Sequence, residues 1–120
     1  MEFNDNKAIY LQIADTLCER ILSGKWNAEE RIPSVREMGT LLGVNPNTVV
    51  RSYDYLQQME IIYNKRGIGY FVTSQAKEAI INEQKTTFLQ EELPVIIRKM
   101  KMLSIPFSQI EKIYNENQTK

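Results

Sequence analysis

The chain has 120 residues, 15 basic and 15 acidic side chains, 42% apolar residues and no histidine. Lacking histidine, it can build no Ser-His or Cys-His dyad and no zinc site of the usual His-containing types, and the lone Cys18 can close no internal disulfide. One domain, or a small domain plus an arm, fits this length, and no stretch reads as a signal peptide or membrane span, so a cytoplasmic, non-enzymatic protein with no cofactor, no metal and no membrane partner is expected.

Ile9, Ile13, Leu17 and Ile21 repeat every four residues, with Tyr10, Ala14, Cys18 and Leu22 widening the stripe, which predicts a first helix stopped at Gly24. Trp26 is expected to fold back onto it. Cys18 falls on the buried face and is expected to be inert. Ser34-Val35-Arg36-Glu37 is a capping box that opens a short helix, with Val35, Met38, Leu41 and Leu42 apolar and Gly43 at its end. Asn45-Pro46 then supplies an N-cap and a first-turn proline for another helix, which buries Val49, Tyr53 and Leu56 and runs to about Met59. Two short helices about a tight glycine turn make a helix-turn-helix.

Ile61–Asn64 and Tyr70–Thr73 have strand composition, and Lys65-Arg66-Gly67-Ile68-Gly69 between them is a hairpin tip. A hairpin after a helix-turn-helix is a wing. The fold expected is therefore mainly α with a small β-hairpin, a winged helix-turn-helix over residues 1–73 followed by a helical arm over 74–120. In the arm, Ala76, Ala79 and Ile80 begin an amphipathic helix. Leu89, Leu93, Ile96, Met100 and Leu103 then follow at heptad-like spacing. Pro94 interrupts this seam with either a kink or a restart. Phe107, Ile110, Ile113 and Tyr114 suit a final helix before the polar end Asn115–Lys120.

Charge is unevenly spread. Residues 31–73 carry Arg31, Arg36, Arg51, Lys65 and Arg66 against Glu37, Asp54 and Glu60, while residues 1–30 are net acidic. Arginine's planar fork suits phosphates and guanine edges. Burying Val49, Tyr53 and Leu56 turns Asn47, Thr48 and Arg51 outward, and the helix start at Asn45 suits a phosphate. Asn47 can pair with adenine, Arg51 with guanine or phosphate, and Thr48 with either base or backbone. Arg36 sits in the first turn of its helix, where the dipole disfavours a cation, which points to an external partner, most simply a phosphate or a groove edge, although a solvated arginine paired with Glu37 or Glu30 is the alternative. Ser34 is a cap first and a phosphate ligand second. At the tip, Lys65 and Arg66 with Gly67 and Gly69 can enter a minor groove, although a plain hairpin also explains the glycines.

Ile32-Pro33-Ser34-Val35-Arg36-Glu37, Leu42-Gly43-Val44-Asn45-Pro46-Asn47-Thr48-Val49 and Arg66-Gly67-Ile68-Gly69-Tyr70-Phe71-Val72, preceded by Ile9-Tyr10-Leu11-Gln12-Ile13, resemble the GntR family of bacterial transcription regulators. The resemblance spans roughly residues 8–73, and Asn-Pro-Asn-Thr-Val with Tyr53 and a short helical tail is similar to its YtrA-like branch. It implies a dimeric repressor of a double-stranded DNA operator, often of ABC-transporter genes. Three departures stand out. Glu60 replaces the usual Gly after the recognition helix, Asn27-Ala28-Glu29 replaces a Pro-Gly turn, and Pro46 and Val50 replace base-reading arginines of other branches.

The seam Leu89, Leu93, Ile96, Met100 and Leu103 is expected to form a homodimer rather than pack on its own chain. No effector is named by the sequence, and a tail this short is expected to enclose no pocket like that of larger relatives. A winged helix serving as a protein-interaction module without DNA binding is the alternative; an enzyme or small-molecule carrier has no constellation behind it. Salt-dependent duplex binding separates the first two.

Overall fold

The computed structural model describes residues 7–117; Gln118, Thr119 and Lys120 of the polar end lie outside them. The described residues form two compact units, divided between Asn82 and Glu83. In the first, helix α1 (Ile9–Leu22) buries Ile13, Ala14, Leu17, Cys18 and Ile21, the four-residue stripe of its sequence. It stops at Gly24, whose φ of +85° lets the Lys25 and Trp26 N–H groups donate back to the Arg20 carbonyl. Trp26 accordingly returns to α1, its ring 5.5 Å beneath the Arg20 guanidinium. Burial, with Asp15 and Glu19 nearby, pushes the Cys18 thiol up to about 12, so it is inert as a nucleophile.

Helix α2 (Val35–Leu42) carries the capping box in full: Glu37 N–H donates to Ser34 Oγ at 3.1 Å and Ser34 N–H to Glu37 Oε1 at 2.9 Å. Gly43 closes it in the left-handed conformation. Helix α3 (Pro46–Gln58) follows at once from its Asn45 cap, whose Oδ1 accepts the Asn47 N–H at 2.8 Å. The turn between α2 and α3 is tight because Gly39 has no side chain: a Cβ there would stand 3.0 Å from the Val44 carbonyl oxygen and 3.5 Å from Pro46. Val49, Ser52, Tyr53 and Leu56 form the buried face of α3. Tyr53 is fully buried, donates to the Pro33 carbonyl at 2.7 Å, and meets the Tyr70 ring edge-on; burial raises its phenol above the ordinary range.

The end of α3 explains one departure noted in the sequence. Glu60 N–H donates to the Gln57 carbonyl and Ile61 N–H to the Leu56 carbonyl, a Schellman closure that places Glu60 at φ +60°. Glycine is the natural occupant of that conformation. Glu29, in the replaced Pro-Gly turn, is likewise left-handed at φ +66°.

Three antiparallel strands follow the order β1-β3-β2, with β1 (Arg31–Ile32), β2 (Ile62–Lys65) and β3 (Gly69–Val72). The hairpin strands lie close to their expected positions; β1 is additional. Glu29 N–H to the Val72 carbonyl and Val72 N–H to the Glu30 carbonyl dock it beside β3. Ile32, Ile62 and Val72 face the helices. On the opposite face Arg31, Phe71 and Tyr63 lie side by side in register.

Helix α4 (Ala76–Thr87) leaves the sheet and contributes Ala76 and Ile80 to the first unit's core, so that unit extends past the hairpin to Asn82. In the second unit the helix widens into a π turn, Phe88–Glu92, before α5 (Leu93–Met102) and α6 (Phe107–Glu116). Leu93 N–H donates to the Phe88 carbonyl five residues back, so Pro94 enters the first turn of α5 where its missing N–H matters least. Among the described residues of the π turn, α5 and α6, none is buried.

Candidate nucleic-acid interface

The first part of the site is the α2–α3 corner. Asn45, Asn47 and Arg51 are exposed and Thr48 half-buried, because α3 spends its other face on Val49, Ser52, Tyr53 and Leu56. The first turn of α3 presents a positive dipole end, which attracts an anion, while its Asn47 and Thr48 N–H groups donate to the Asn45 side chain and carbonyl. Arg36 is exposed in the first turn of α2, while the Ser34 hydroxyl oxygen is already accepting the Glu37 N–H. The Ser34 N–H, donating to Glu37 Oε1, and after it the Ser34 side chain hold the Glu37 carboxyl below the usual carboxylate range.

The second part is the wing. Lys65, Arg66 and Gly67 are exposed at its tip, which is closed by Ile68 N–H donating to the Lys65 carbonyl at 2.9 Å. Lys65 Nζ rests 5.3 Å from the centre of the Phe71 ring. Gly67, at φ +79°, has open space where a side chain would stand. Gly69 is different: at φ +144°, its missing Cβ makes room for Arg31, whose Nε would lie 2.9 Å from that atom.

Two residues outside the expected set join it. Arg31 lies against Gly69 at the wing and also helps lower Glu37, so it stands between the wing and the start of α2. Only its charge is visible in the sequence, because the two-residue strand that places it has no alternation to read. Tyr10, expected only as part of the α1 stripe, lies under Arg51, the guanidinium 4.1 Å from its ring centre. The five cations Arg31, Arg36, Arg51, Lys65 and Arg66 are all exposed, and the one ion pair among the described residues is Lys7 with Asp15. Their charge is therefore uncancelled and available to a polyanion.

In the second unit, Leu89, Ile96 and Leu103 are 57%, 46% and 59% exposed, and Leu93 and Met100 are half-buried. Phe107 and Tyr114 of α6 add further exposed aromatic surface. No helix among the described residues is long and apolar enough to cross a membrane.

Residues 9–72 match the family described as bacterial regulatory proteins, gntR family. The chain is 36% identical to the uncharacterized HTH-type transcriptional regulator YhcF of Bacillus subtilis, over 87% of this chain and 84% of that protein. It is 37% identical to the HTH-type transcriptional repressor YtrA of the same organism, over 74% of this chain and 68% of the repressor. The crystal structure of a protein assigned to the GntR family from Bacteroides thetaiotaomicron superposes with a TM-score of 0.82 at 53% identity, covering 91% of this chain and 95% of the other. A helix-turn-helix with an uncancelled arginine-rich corner, a glycine-containing wing and these relatives agree: the chain belongs to the GntR family of bacterial transcriptional regulators, DNA-binding proteins rather than enzymes.

Proposed function

We propose that the protein is a homodimeric, cytoplasmic repressor that occupies a near-palindromic operator, with α3 of each copy in successive major grooves. The observation that carries this reading is the exposed first half of α3, where Asn47 faces outward and Arg51 makes no ion pair among the described residues, beside a helix N-terminus. Asn47, Thr48 and Arg51 read base edges. Ser34, Arg36 and Asn45 contact backbone, and Lys65, Arg66, Gly67 and Gly69 reach the adjacent minor groove. The apolar side chains Leu89, Leu93, Ile96, Met100 and Leu103 pair the two copies. Repression is supported by the relationship to the YtrA repressor, and the regulated set proposed is an ABC-transporter operon, as the resemblance to the YtrA-like branch implies.

The test begins with a duplex selected by the protein from a random pool. Arg51→Ala is expected to weaken binding to it by about 1–3 kcal/mol and to relax discrimination against random duplex. Ile96→Asp, which places a carboxylate on the pairing surface, is expected to sediment as a monomer and to bind the full site weakly. An Arg51→Ala protein with unchanged affinity for both duplexes overturns the recognition assignment, and an Ile96→Asp protein that remains dimeric overturns the pairing surface.

A further inference from the structure

Arg51 has a carboxylate three residues along its own helix, Asp54, at a spacing where helical ion pairs form. The two do not pair. Asp54 instead accepts the Gln57 side-chain amide at 3.5 Å, and the Arg51 guanidinium turns to α1, where it sits 4.1 Å above the Tyr10 ring. Tyr10 is tied to α3 through both its backbone and its ring. The Ser52 hydroxyl, fully buried, donates to the Tyr10 carbonyl at 2.7 Å, and the Tyr55 ring meets Tyr10 edge-on at 6.4 Å and 76°. Neighbours of Arg51 on α3 therefore hold the backbone of Tyr10 and meet the edge of the ring on which Arg51 rests.

A ring face and a carboxylate hold an arginine with different consequences. An ion pair restrains the guanidinium and cancels its charge, and the carboxylate must be displaced before DNA can be bound. A ring face restrains it and leaves the charge intact for a phosphate or a guanine edge. A free arginine would lose more rotamer freedom on docking than one already seated. We propose that Tyr10 is a positioning residue for DNA recognition, a seat on α1 that pre-orders the Arg51 guanidinium of α3 without neutralising it. This rests on the reading of Arg51 as a DNA contact.

The test is a double-mutant cycle, using fluorescence anisotropy on the duplex selected by the intact protein and on a random duplex. Tyr10→Leu, which removes the ring, is expected to weaken binding to the selected duplex by about three- to tenfold, the loss that follows from unseating one long side chain. Tyr10→Phe, which keeps the ring, restores most of that affinity. In an Arg51→Ala background, Tyr10→Leu has no further effect on binding, although any cost to the thermal midpoint persists. Equal losses in both backgrounds show that Tyr10 acts through the fold alone and overturn the proposal while leaving Arg51 at the interface. An Arg51→Ala chain that binds both duplexes normally overturns the recognition assignment itself, and the proposal with it. Should Tyr10→Leu fail to fold, the intact protein still decides: the Arg51 side-chain protons, assigned by their disappearance in Arg51→Lys, are expected upfield in the ring current of Tyr10. Unshifted resonances overturn the proposal.

Discussion

The Arg31 guanidinium occupies the space that a side chain at Gly69 would need, with Nε 2.9 Å and Cζ 3.5 Å from the position of a Cβ there. Strand β1 and the base of the wing are thereby fitted to each other. Gly69→Ala is expected to cost about 1–3 kcal/mol in urea unfolding, since its φ belongs to glycine, and to weaken duplex binding as Arg31 is driven aside. Combining it with Arg31→Ala should recover part of the stability but none of the affinity. Absence of any recovery would place the clash elsewhere.

Glu60 closes α3 in a conformation that costs an ordinary L-residue about 1–2 kcal/mol. Glu60→Gly removes that strain at some expense in unfolded-chain entropy, so a net gain of about 0.5–1 kcal/mol is expected. Glu29→Gly should gain less, because the Glu29 carboxylate also accepts the Tyr63 hydroxyl at 2.7 Å. Matched urea titrations of the two variants test this ordering.

The capping box of α2 gives stability a pH dependence of known sign. Because Ser34 lowers the Glu37 carboxyl below its usual range, the contribution is present above the unfolded pKa and is lost as pH falls through the folded one. Glu37→Gln should flatten this acid-side slope. Ser34→Ala should lower stability by about 1 kcal/mol and return the Glu37 titration, followed by NMR, toward the ordinary carboxylate value.

The place of α4 predicts how the chain tolerates shortening. Ala76 and Ile80 are each 2% exposed in the first unit's core. A chain ended at Asn82 should keep a cooperative unfolding transition, whereas one ended at Ser74 should be much less stable. Ile80→Ala in the intact protein should cost about 2–5 kcal/mol. Equal midpoints for the two shortened chains would remove α4 from the core.

What could be read from the sequence was local. Ser34, Gly43 and Asn45 announce helix ends because capping depends on the side chain at one position, and the Ile9–Ile21 stripe shows its period directly. Residues placed by distant pairing were less legible. Arg31 acquires its neighbours only when Glu29 and Glu30 dock on Val72, and Tyr10 meets Arg51 only when α1 lies on α3. Pro94 shows that a helix must yield near it but not how. The π turn resolves it by lengthening the hydrogen-bond ladder by one residue, which keeps the backbone helical.

Trp26, the single tryptophan, lies in the first unit beneath Arg20. Its emission is therefore an optical label for the DNA-binding unit alone, while far-ultraviolet circular dichroism also weighs the helices of the second. Heating curves recorded by the two signals will coincide if the units melt together and separate if they melt one at a time. The same label, placed close to where α1 turns toward the sheet, lets the folding of the winged helix be timed without adding a dye.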